Sequence, residues 1–399
     1  MLRPPQLLAL ALAFTLLACA AEDTSRWTGA TVRDSAGVTI VENAGVYPVR
    51  DADWSVSATP LARVDGDPGD GGGLYRFLGA IRLPSGTLVV NQAGGTELLF
   101  LRADGSRVRT LEASGSGPGE FRRLGLWSVV PAPDGGVAAL DIELGKVLVL
   151  DSVGHFVREL SLERGPGQPR LHGVLPDGSF VVTYSGASEL RDGVSRRAID
   201  VARHAADGTL AGVLETFQGR GSYSVLLDGR RLNPPVPLEA EPTIGVAGDA
   251  IHVNDGRSGE IRVYTAHGTL SRIVRRTNPA RAVTDADIDT YTEDLVGVQG
   301  SPADRVAVRM MLASAPRPTE QPAFYQMVVD GDGYLFTTEP GCPDRLVCWN
   351  VYDPEGSFIS ALDVPQGTGI LQVGSDYLLG LTFPEVSVPV LTIHALQRR

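Results

Sequence analysis

One pattern recurs along this chain: a short apolar strand, a turn built on Asp, Ser or Gly, and a second strand. It is clear at positions 81–92, 130–141, 173–184, 245–255 and 327–338. Each copy is followed by another strand–turn–strand pair, as in "KVLVLDSVGHFVREL" and "CWNVYDPEGSFISAL". Four strands therefore recur together, and turns of this chemistry are typical of antiparallel hairpins.

The spacing of the copies indicates a true repeat. The turn glycines Gly86, Gly135 and Gly178 lie 49 and 43 residues apart, and the later intervals to Gly248 and Gly333 lengthen to 70 and 85 residues. The longer intervals contain insertions. Four-stranded units of about 40–50 residues are typical of propeller blades.

The last unit, 370–396, offers only three strands before the chain ends. A fourth strand is available near the start, in 54–64 or in 38–43. A strand from the N-terminus would close the ring and remove its exposed edges. The sequence therefore predicts an all-β fold, a six-bladed β-propeller of four-stranded antiparallel blades over residues 50–396.

Two segments carry a family resemblance. "RDSAGVTIVENAG" (33–45) and "GSGPGEF" (115–121), together with the repeat, resemble the NHL-related six-bladed β-propellers of bacterial lipoproteins. The resemblance covers about residues 50–396. It implies the fold and leaves the activity open, because one fold hosts many functions.

Two insertions interrupt the repeat. The first, about 219–243, has no periodicity and is interpreted as an extended loop. The second, about 278–320, has helical signals: Thr284 and Ser301 are suited to be N-caps, and Pro302 follows the second of them. We expect a small helical insertion between blades four and five.

The first residues resemble a targeting signal. Arg3 precedes an apolar run, Leu7 to Leu17, and "LLAC" ends at Cys19, as in the lipobox of bacterial lipoproteins. The resemblance implies cleavage of a signal peptide, 1–18, acylation of Cys19, and a tether with an N-terminal strand over 19–49. Because no Asp follows Cys19, it also implies an outer-membrane anchor facing the periplasm or the cell surface. A plain secretory signal with an incidental cysteine is the alternative.

The other two cysteines, Cys342 and Cys348, flank a Pro-Asp turn in "GCPDRLVC". Outside the cytoplasm such a pair is most simply a disulfide. A metal site needs more ligands than this stretch supplies.

The glycine-rich stretch "SGSGPGEFRRL" (114–124) has two interpretations, a phosphate loop or a connection between blades. Pro118 removes a backbone donor, Glu120 adds negative charge, and no Lys-Ser/Thr pair follows. The stretch lies between the outer strand of blade one and the inner strand of blade two. We therefore interpret it as a joint, with Phe121 packed between the blades.

Blade geometry predicts which polar residues share a face. Because strands in a blade alternate in direction, the blade-to-blade joints and the loops after second strands emerge on one rim, and loop-rich rims commonly bind ligands. The predicted binding face comprises Glu120, Arg122, Arg123 and Glu339. The pair Arg122-Arg123 is either an anion contact or ordinary solvated charge.

Four residues on the same rim are candidates for a metal site: Asn91, Asp141, Asn254 and Asp255. They resemble the Glu, Asn and Asp ligands of gluconolactonase-like six-bladed enzymes, which implies Ca²⁺ or another divalent cation. Asn and Asp also favour strand-ending turns for local reasons. The catalytic pattern is incomplete, so no nucleophile or base is assigned and no cofactor is predicted.

The charge pattern restricts which classes of partner the protein is expected to bind. The formal net charge is −12, Lys146 is the only lysine, and basic clusters are absent from the sequence, which argues against nucleic acid. The sequence favours an envelope-anchored propeller that binds a protein, peptide or glycan. The alternatives are a metal-dependent hydrolase or lyase with a site in the central channel, and a structural spacer.

Overall fold

The structure is a computed structural model of the 399-residue chain. It describes residues 29–45, 54–65, 74, 77–92, 97–112, 115–122, 126–187, 193–227, 229–277, 281–297, 301–340, 347–385 and 388–398.

The described elements are a short N-terminal series and six consecutive blades. The series comprises β1 (Ala30–Ser35), β2 (Val38–Asn43), β3 (Trp54–Val56) and β4 (Ala62–Asp65). Blade one contains β5 (Phe77–Arg82), β6 (Leu88–Gln92), β7 (Glu97–Leu101) and β8 (Arg107–Glu112). Blade two contains β9 (Leu126–Pro131), β10 (Val137–Asp141), β11 (Lys146–Leu150) and β12 (Phe156–Ser161).

Blade three is interrupted by a two-residue strand. It contains β13 (Gln168–Val174), β14 (Phe180–Ser185), β16 (Ala198–His204) and β17 (Leu210–Gln218), and β15 (Val194–Ser195) lies between its second and third strands. The insertion that follows contains β18 (Ser222–Tyr223), β19 (Val225–Leu227) and β20 (Arg230–Leu232). Blade four contains β21 (Thr243–Ala247), β22 (Ala250–Asn254), β23 (Glu260–Thr265) and β24 (Leu270–Arg276).

Two helices, α1 (Asp285–Gly297) and α2 (Pro302–Ala313), separate blade four from blade five. Blade five contains β25 (Gln326–Val329), β26 (Leu335–Pro340), β27 (Val347–Tyr352) and β28 (Phe358–Leu362). Blade six contains β29 (Gly369–Val373), β30 (Tyr377–Glu385) and β31 (Val388–Arg398). The predicted six-bladed propeller with a helical insertion between blades four and five is confirmed.

The six blades form a closed ring. The inner strands β5, β9, β13, β21, β25 and β29 each contact the inner strands of both neighbouring blades, and β29 contacts β5. At Gly245 on β21, an added Cβ would meet a Val329 methyl carbon at 2.3 Å, so only glycine permits this approach of the inner strands. One apolar cluster fills each interface between neighbouring blades. The cluster between blades six and one contains Leu391 and Leu88.

The ring closes through the N-terminal segment. Both β3 and β4 pair antiparallel with β31 and complete blade six, so 54–64 is the one of the two predicted candidates that closes the ring. The other predicted candidate, 38–43, lies elsewhere: β2 pairs in parallel with β24, and β1 pairs with β2, so blade four becomes a six-stranded sheet. Within this hairpin, Asn43 is fully buried, donates to the Gly356 carbonyl at 2.9 Å and accepts from the Phe358 amide at 2.9 Å.

The prediction that the first insertion is an extended loop was wrong for residues 222–232, which contain short strands. Strands β19 and β20 form a hairpin, and β18 pairs with β15. The segment after the hairpin packs inward, with Val236 and Leu238 buried. A sequence without periodicity can therefore be ordered by burial against neighbouring elements rather than by its own pattern.

Candidate functional site

The joint between blades one and two resembles a phosphate loop in sequence only. Gly119 has φ of +74°, which favours glycine, and Phe121 is 4% exposed within the apolar cluster between the two blades. The Glu120 carboxylate accepts the Gly117 amide hydrogen at 2.8 Å and so folds back onto its own loop. The interpretation as a joint is supported.

The only lysine stabilises this joint. Lys146 Nζ donates to the Glu159 carboxylate at 2.8 Å and to the Gly117 carbonyl at 2.9 Å, and Glu159 also accepts the Gly119 amide hydrogen at 3.0 Å. The hydrogen bond from Lys146 is the main reason why the pKa of Glu159 is lowered, with burial opposing it. Lys146 is therefore a structural group of the ring.

Two of the four metal candidates use their oxygens to order backbone turns. The Asp141 carboxylate accepts the amide hydrogens of Arg122, Glu143 and Leu144 at 2.8–3.0 Å. Asp255 Oδ1 accepts hydrogen bonds from the amides of Arg257 and Ser258 and from the Ser258 hydroxyl. These are the local turn interactions that Asp side chains favour.

The other two candidates are buried amides. Asn254 Oδ1 accepts the Gly256 amide hydrogen at 2.7 Å. Asn91 is 1% exposed, and neither atom of its amide forms a hydrogen bond within the described residues. Over those residues, three or more His, Cys, Asp and Glu side chains are nowhere grouped as metal ligands. The metal site stays a prediction.

The predicted binding face is not one set of free side chains. Arg122 is exposed, whereas Glu339 is buried and accepts hydrogen bonds from the Arg276 guanidinium at 2.9 Å and the Tyr352 hydroxyl at 2.5 Å. The binding role of these residues stays a prediction. Arg123, Cys19 and Cys342 lie outside the described residues, as does the Cys348 side chain.

The most elaborate structure on this rim is the helical insertion. Thr284 and Asp287 exchange hydrogen bonds as a capping box: each backbone amide donates to the other side chain, at 2.8 and 3.2 Å. Ser301 caps α2, because its hydroxyl accepts the Asp304 amide hydrogen at 3.0 Å. Both predicted N-caps are confirmed. We call the two helices together with the β19–β20 hairpin the cap.

A group of polar side chains lies where the cap meets blades four and five. We call it the cap cluster, and its members are Arg220, Tyr223, Arg281, Asp287, Tyr291, Gln321 and Tyr325. Arg220 links the two insertions, since its guanidinium donates to the Val236 carbonyl at 2.9 Å and to the Tyr291 hydroxyl at 3.2 Å. Tyr223 donates to the Met311 carbonyl at 2.9 Å. The cluster therefore joins segments far apart in sequence.

Burial and neighbouring charges shift the pKa values of three members of the cap cluster. Burial raises the pKa of Tyr223 to about 12, with Tyr291 adding to the shift. Burial also raises the pKa of Tyr325, and the Asp287 carboxylate acts in the same direction. Although burial opposes it, hydrogen bonds from Thr284 and the Arg281 guanidinium 3.3 Å away lower the pKa of Asp287. At neutral pH the cluster thus presents hydroxyl donors beside one carboxylate and two guanidinium groups.

Two members of the cluster have unused hydrogen-bonding capacity. The Tyr325 hydroxyl is buried and forms no hydrogen bond with any described residue. Gln321 is 5% exposed, and its amide lies near Asp287 without forming a hydrogen bond of ordinary geometry to any described group. Buried polar groups are nearly always paired, so unpaired ones call for an explanation such as a ligand or an ordered water.

Sequence reasoning missed the cap cluster. Arg220 follows blade three, Asp287 and Tyr291 lie on α1, and Gln321 and Tyr325 lie just before blade five. No motif connects these positions. The one available signal was the pair of insertions, because both leave the ring near blade four and interrupt an otherwise regular repeat.

Comparisons with known proteins return solved structures at low sequence identity. No protein-family model matches the chain, and the curated proteins give no significant match. Among solved structures, a protein of Bacteroides fragilis named for its expected export is 13% identical, with a TM-score of 0.46 and coverage of 88% of this chain and 97% of the other. Virginiamycin B lyase of Staphylococcus aureus is 11% identical, with a TM-score of 0.40 and coverage of 86% and 99%. Similarity of this degree assigns no ligand or reaction to this chain.

Proposed function

We propose that this protein is an envelope-anchored recognition propeller, which binds a peptide or glycan group of an envelope partner at the cap cluster. The observation that carries the proposal is the pair of unpaired polar side chains, Gln321 and Tyr325, held between two insertions on the joint rim. A partner that supplied donors and acceptors there would remove the cost of leaving these groups unpaired.

The arrangement suits recognition better than a fixed structural link. A structural link gains from complete pairing, as at Lys146, whereas the cap cluster leaves the Tyr325 hydroxyl without a described partner and the Gln321 amide without a hydrogen bond of ordinary geometry. Tyrosine and arginine side chains are also those that dominate recognition surfaces, because they combine large contact area with directional donors. Amide, hydroxyl and carboxylate groups of peptides and sugars match this donor set.

The cell-envelope location in this proposal is inferred from the N-terminal sequence. The lipobox-like Cys19 and the tether that follows it support an anchor on a membrane outside the cytoplasm. None of the described helices is long and apolar enough to cross a membrane. Acylation of Cys19 is tested by mass spectrometry of the mature protein, with Cys19→Ser as the variant that loses the acyl chains.

The binding role is tested by crosslinking from the cap in intact cells. A photoreactive phenylalanine analogue replaces Tyr291, a member of the cap cluster, and in a matched protein it replaces Val153, in a turn on the opposite rim. We expect discrete crosslinked products from position 291 and none of the same mass from position 153. Addition of Tyr325→Phe to the first protein should reduce those products at least tenfold.

Two results would contradict the proposal. Identical products from both rims would mean nonspecific contact. Products that persist unchanged with Tyr325→Phe and Gln321→Ala would mean that a partner binds the cap without using the cluster. Elemental analysis of the same purified protein addresses the enzymatic alternative: a divalent cation retained through dialysis and lost in Asn91→Ala or Asp141→Ala would favour metal-dependent chemistry.

A further inference from the structure

The N-terminal hairpin determines the rim from which the anchor segment leaves the ring. In the register, Ala30 pairs with Asn43, and Asn43 pairs with Arg276 at the end of β24. Strand β24 ends on the joint rim, where the chain continues into α1. Ala30 therefore lies on the joint rim, at the outer edge of blade four, beside the base of the cap.

The exit point is rigidly held. The amide of Asn43 bonds to the backbone of blade five at Gly356 and Phe358, and the Arg276 guanidinium donates to the Gly45 carbonyl at 2.7 Å. The hairpin is thus fixed between two blades rather than attached through one strand edge. Any segment that precedes Ala30 must start from this place on the ring.

The reach of the anchor is short. Ala30 lies eleven residues after Cys19. At roughly 3.5 Å per residue for a fully extended chain, the acylated cysteine can be at most about 40 Å from Ala30. The tether therefore joins the ring on the rim that carries the cap, which is the rim opposite the Asp-Gly turns of the blades.

The cap exposes apolar side chains on that rim. Val306 and Met310 lie four residues apart on α2 and are 57% and 58% exposed, and Leu226 on the adjacent β19 is 70% exposed. Arg305 and Arg309 immediately precede the two apolar residues of α2, and both are exposed, with Arg309 donating to the Glu293 carboxylate of α1 at 3.0 Å. Apolar side chains bordered by arginines on an exposed helix are typical of elements that lie in a membrane interface.

We propose that the cap lies against the phospholipid bilayer in which Cys19 is anchored, with Leu226, Val306 and Met310 in the headgroup region. The inference rests on the anchor in the proposed function, and it adds the orientation of the propeller. The anchor alone would leave orientation open. The register of β1 and the exposed apolar side chains of the cap independently select the same rim.

The orientation is tested with tryptophan fluorescence in vesicles. Purified acylated protein is reconstituted into phosphatidylethanolamine and phosphatidylglycerol vesicles with or without brominated acyl chains, which quench nearby tryptophan. Met310→Trp places a probe on the cap, and Val153→Trp places one on the opposite rim, where the native residue is 39% exposed. The signal is the emission of each variant beyond that of the parent protein.

We expect brominated lipid to quench at least half of the added emission of Met310→Trp and less than a tenth of that of Val153→Trp. Equal quenching of the two probes, or quenching of Val153→Trp alone, in vesicle-bound acylated protein overturns the orientation. An unquenched Met310→Trp in the same preparation also overturns it. Absence of acyl chains on Cys19 overturns the anchor itself, and mass spectrometry separates that result from the others.

Discussion

Two joints of the ring perform the same topological task in different ways. The first, between blades one and two, is short, and its polar groups pair locally: Glu120 with Gly117, Glu159 with Lys146, and Asp141 with Arg122. The fourth, between blades four and five, carries two helices and leaves the Tyr325 hydroxyl and the Gln321 amide unpaired within the described residues.

The difference separates a structural joint from a candidate site. Paired groups contribute to the stability of the ring, and unpaired buried groups reduce it unless something else binds them. The first joint resembles a phosphate loop in sequence, but its Glu120 carboxylate bonds to the amide of Gly117 in the same loop. The fourth joint has no motif and holds the chemistry that a partner could use. The glycine-rich pattern of 114–124 therefore marks a connection between two blades rather than a ligand-binding loop.

Removal of the buried aromatic ring of the first joint should cause the greatest loss of stability. Phe121 is 4% exposed among side chains of two blades, so Phe121→Ala should lower the free energy of unfolding by about 3–5 kcal/mol. Urea unfolding measures it. Phe383→Ala, at a site 49% exposed, is the matched control and should change stability by less than about 0.5 kcal/mol. Equal effects at the two sites would mean that the first joint does not support the ring.

The next effect comes from the ion pair of the same joint. Lys146→Met leaves Glu159 without its main partner and should lower the free energy of unfolding by about 1–3 kcal/mol at pH 7. Because the pKa of Glu159 is lowered in the folded protein, its contribution is present above its ordinary value of 4.5 and is lost as the pH falls through the lower folded value.

The lowered pKa of Glu159 makes the effect of Lys146→Met on stability depend on pH. The stability difference between Lys146→Met and the parent protein should be full at pH 6 and should shrink as the solution is acidified below pH 4.5. Urea midpoints at a series of pH values measure it. A difference that stays constant down to pH 3 would assign the effect to packing of the lysine chain rather than to the charge pair.

The smallest effect has the opposite sign and lies in the cap. Tyr325→Phe removes a hydroxyl that has no described partner, so stability should stay unchanged or rise by up to about 1 kcal/mol. Tyr184→Phe is the matched variant at another short joint, because the Tyr184 hydroxyl bonds to His204 Nε2 at 2.7 Å and to the Glu163 carbonyl. It should destabilise by about 1–3 kcal/mol. Similar losses in both variants would show that the Tyr325 hydroxyl is structurally paired.

Some contacts of the candidate site are visible in the sequence and others are not, because they differ in sequence separation. The caps at Thr284 and Ser301 are interactions between residues three positions apart, so their pattern is visible in the sequence. The contact between Arg220 and Tyr291 joins residues 71 positions apart. Asp141 and Asp255 carried the same residue types as metal ligands, but their oxygens serve turns, which composition does not distinguish.

The blades are predictable from the sequence, because alternating strands and Asp-Gly turns are local patterns and their repeat sets the number of four-stranded sheets. The use of the two N-terminal strand segments depends on tertiary contacts. Both 38–43 and 54–65 have strand-forming composition, yet one lies parallel to β24 and the other completes blade six. That choice depends on which sheet edges remain open once the ring has closed, and on the buried Asn43, whose side-chain amide pairs with the backbone of blade five.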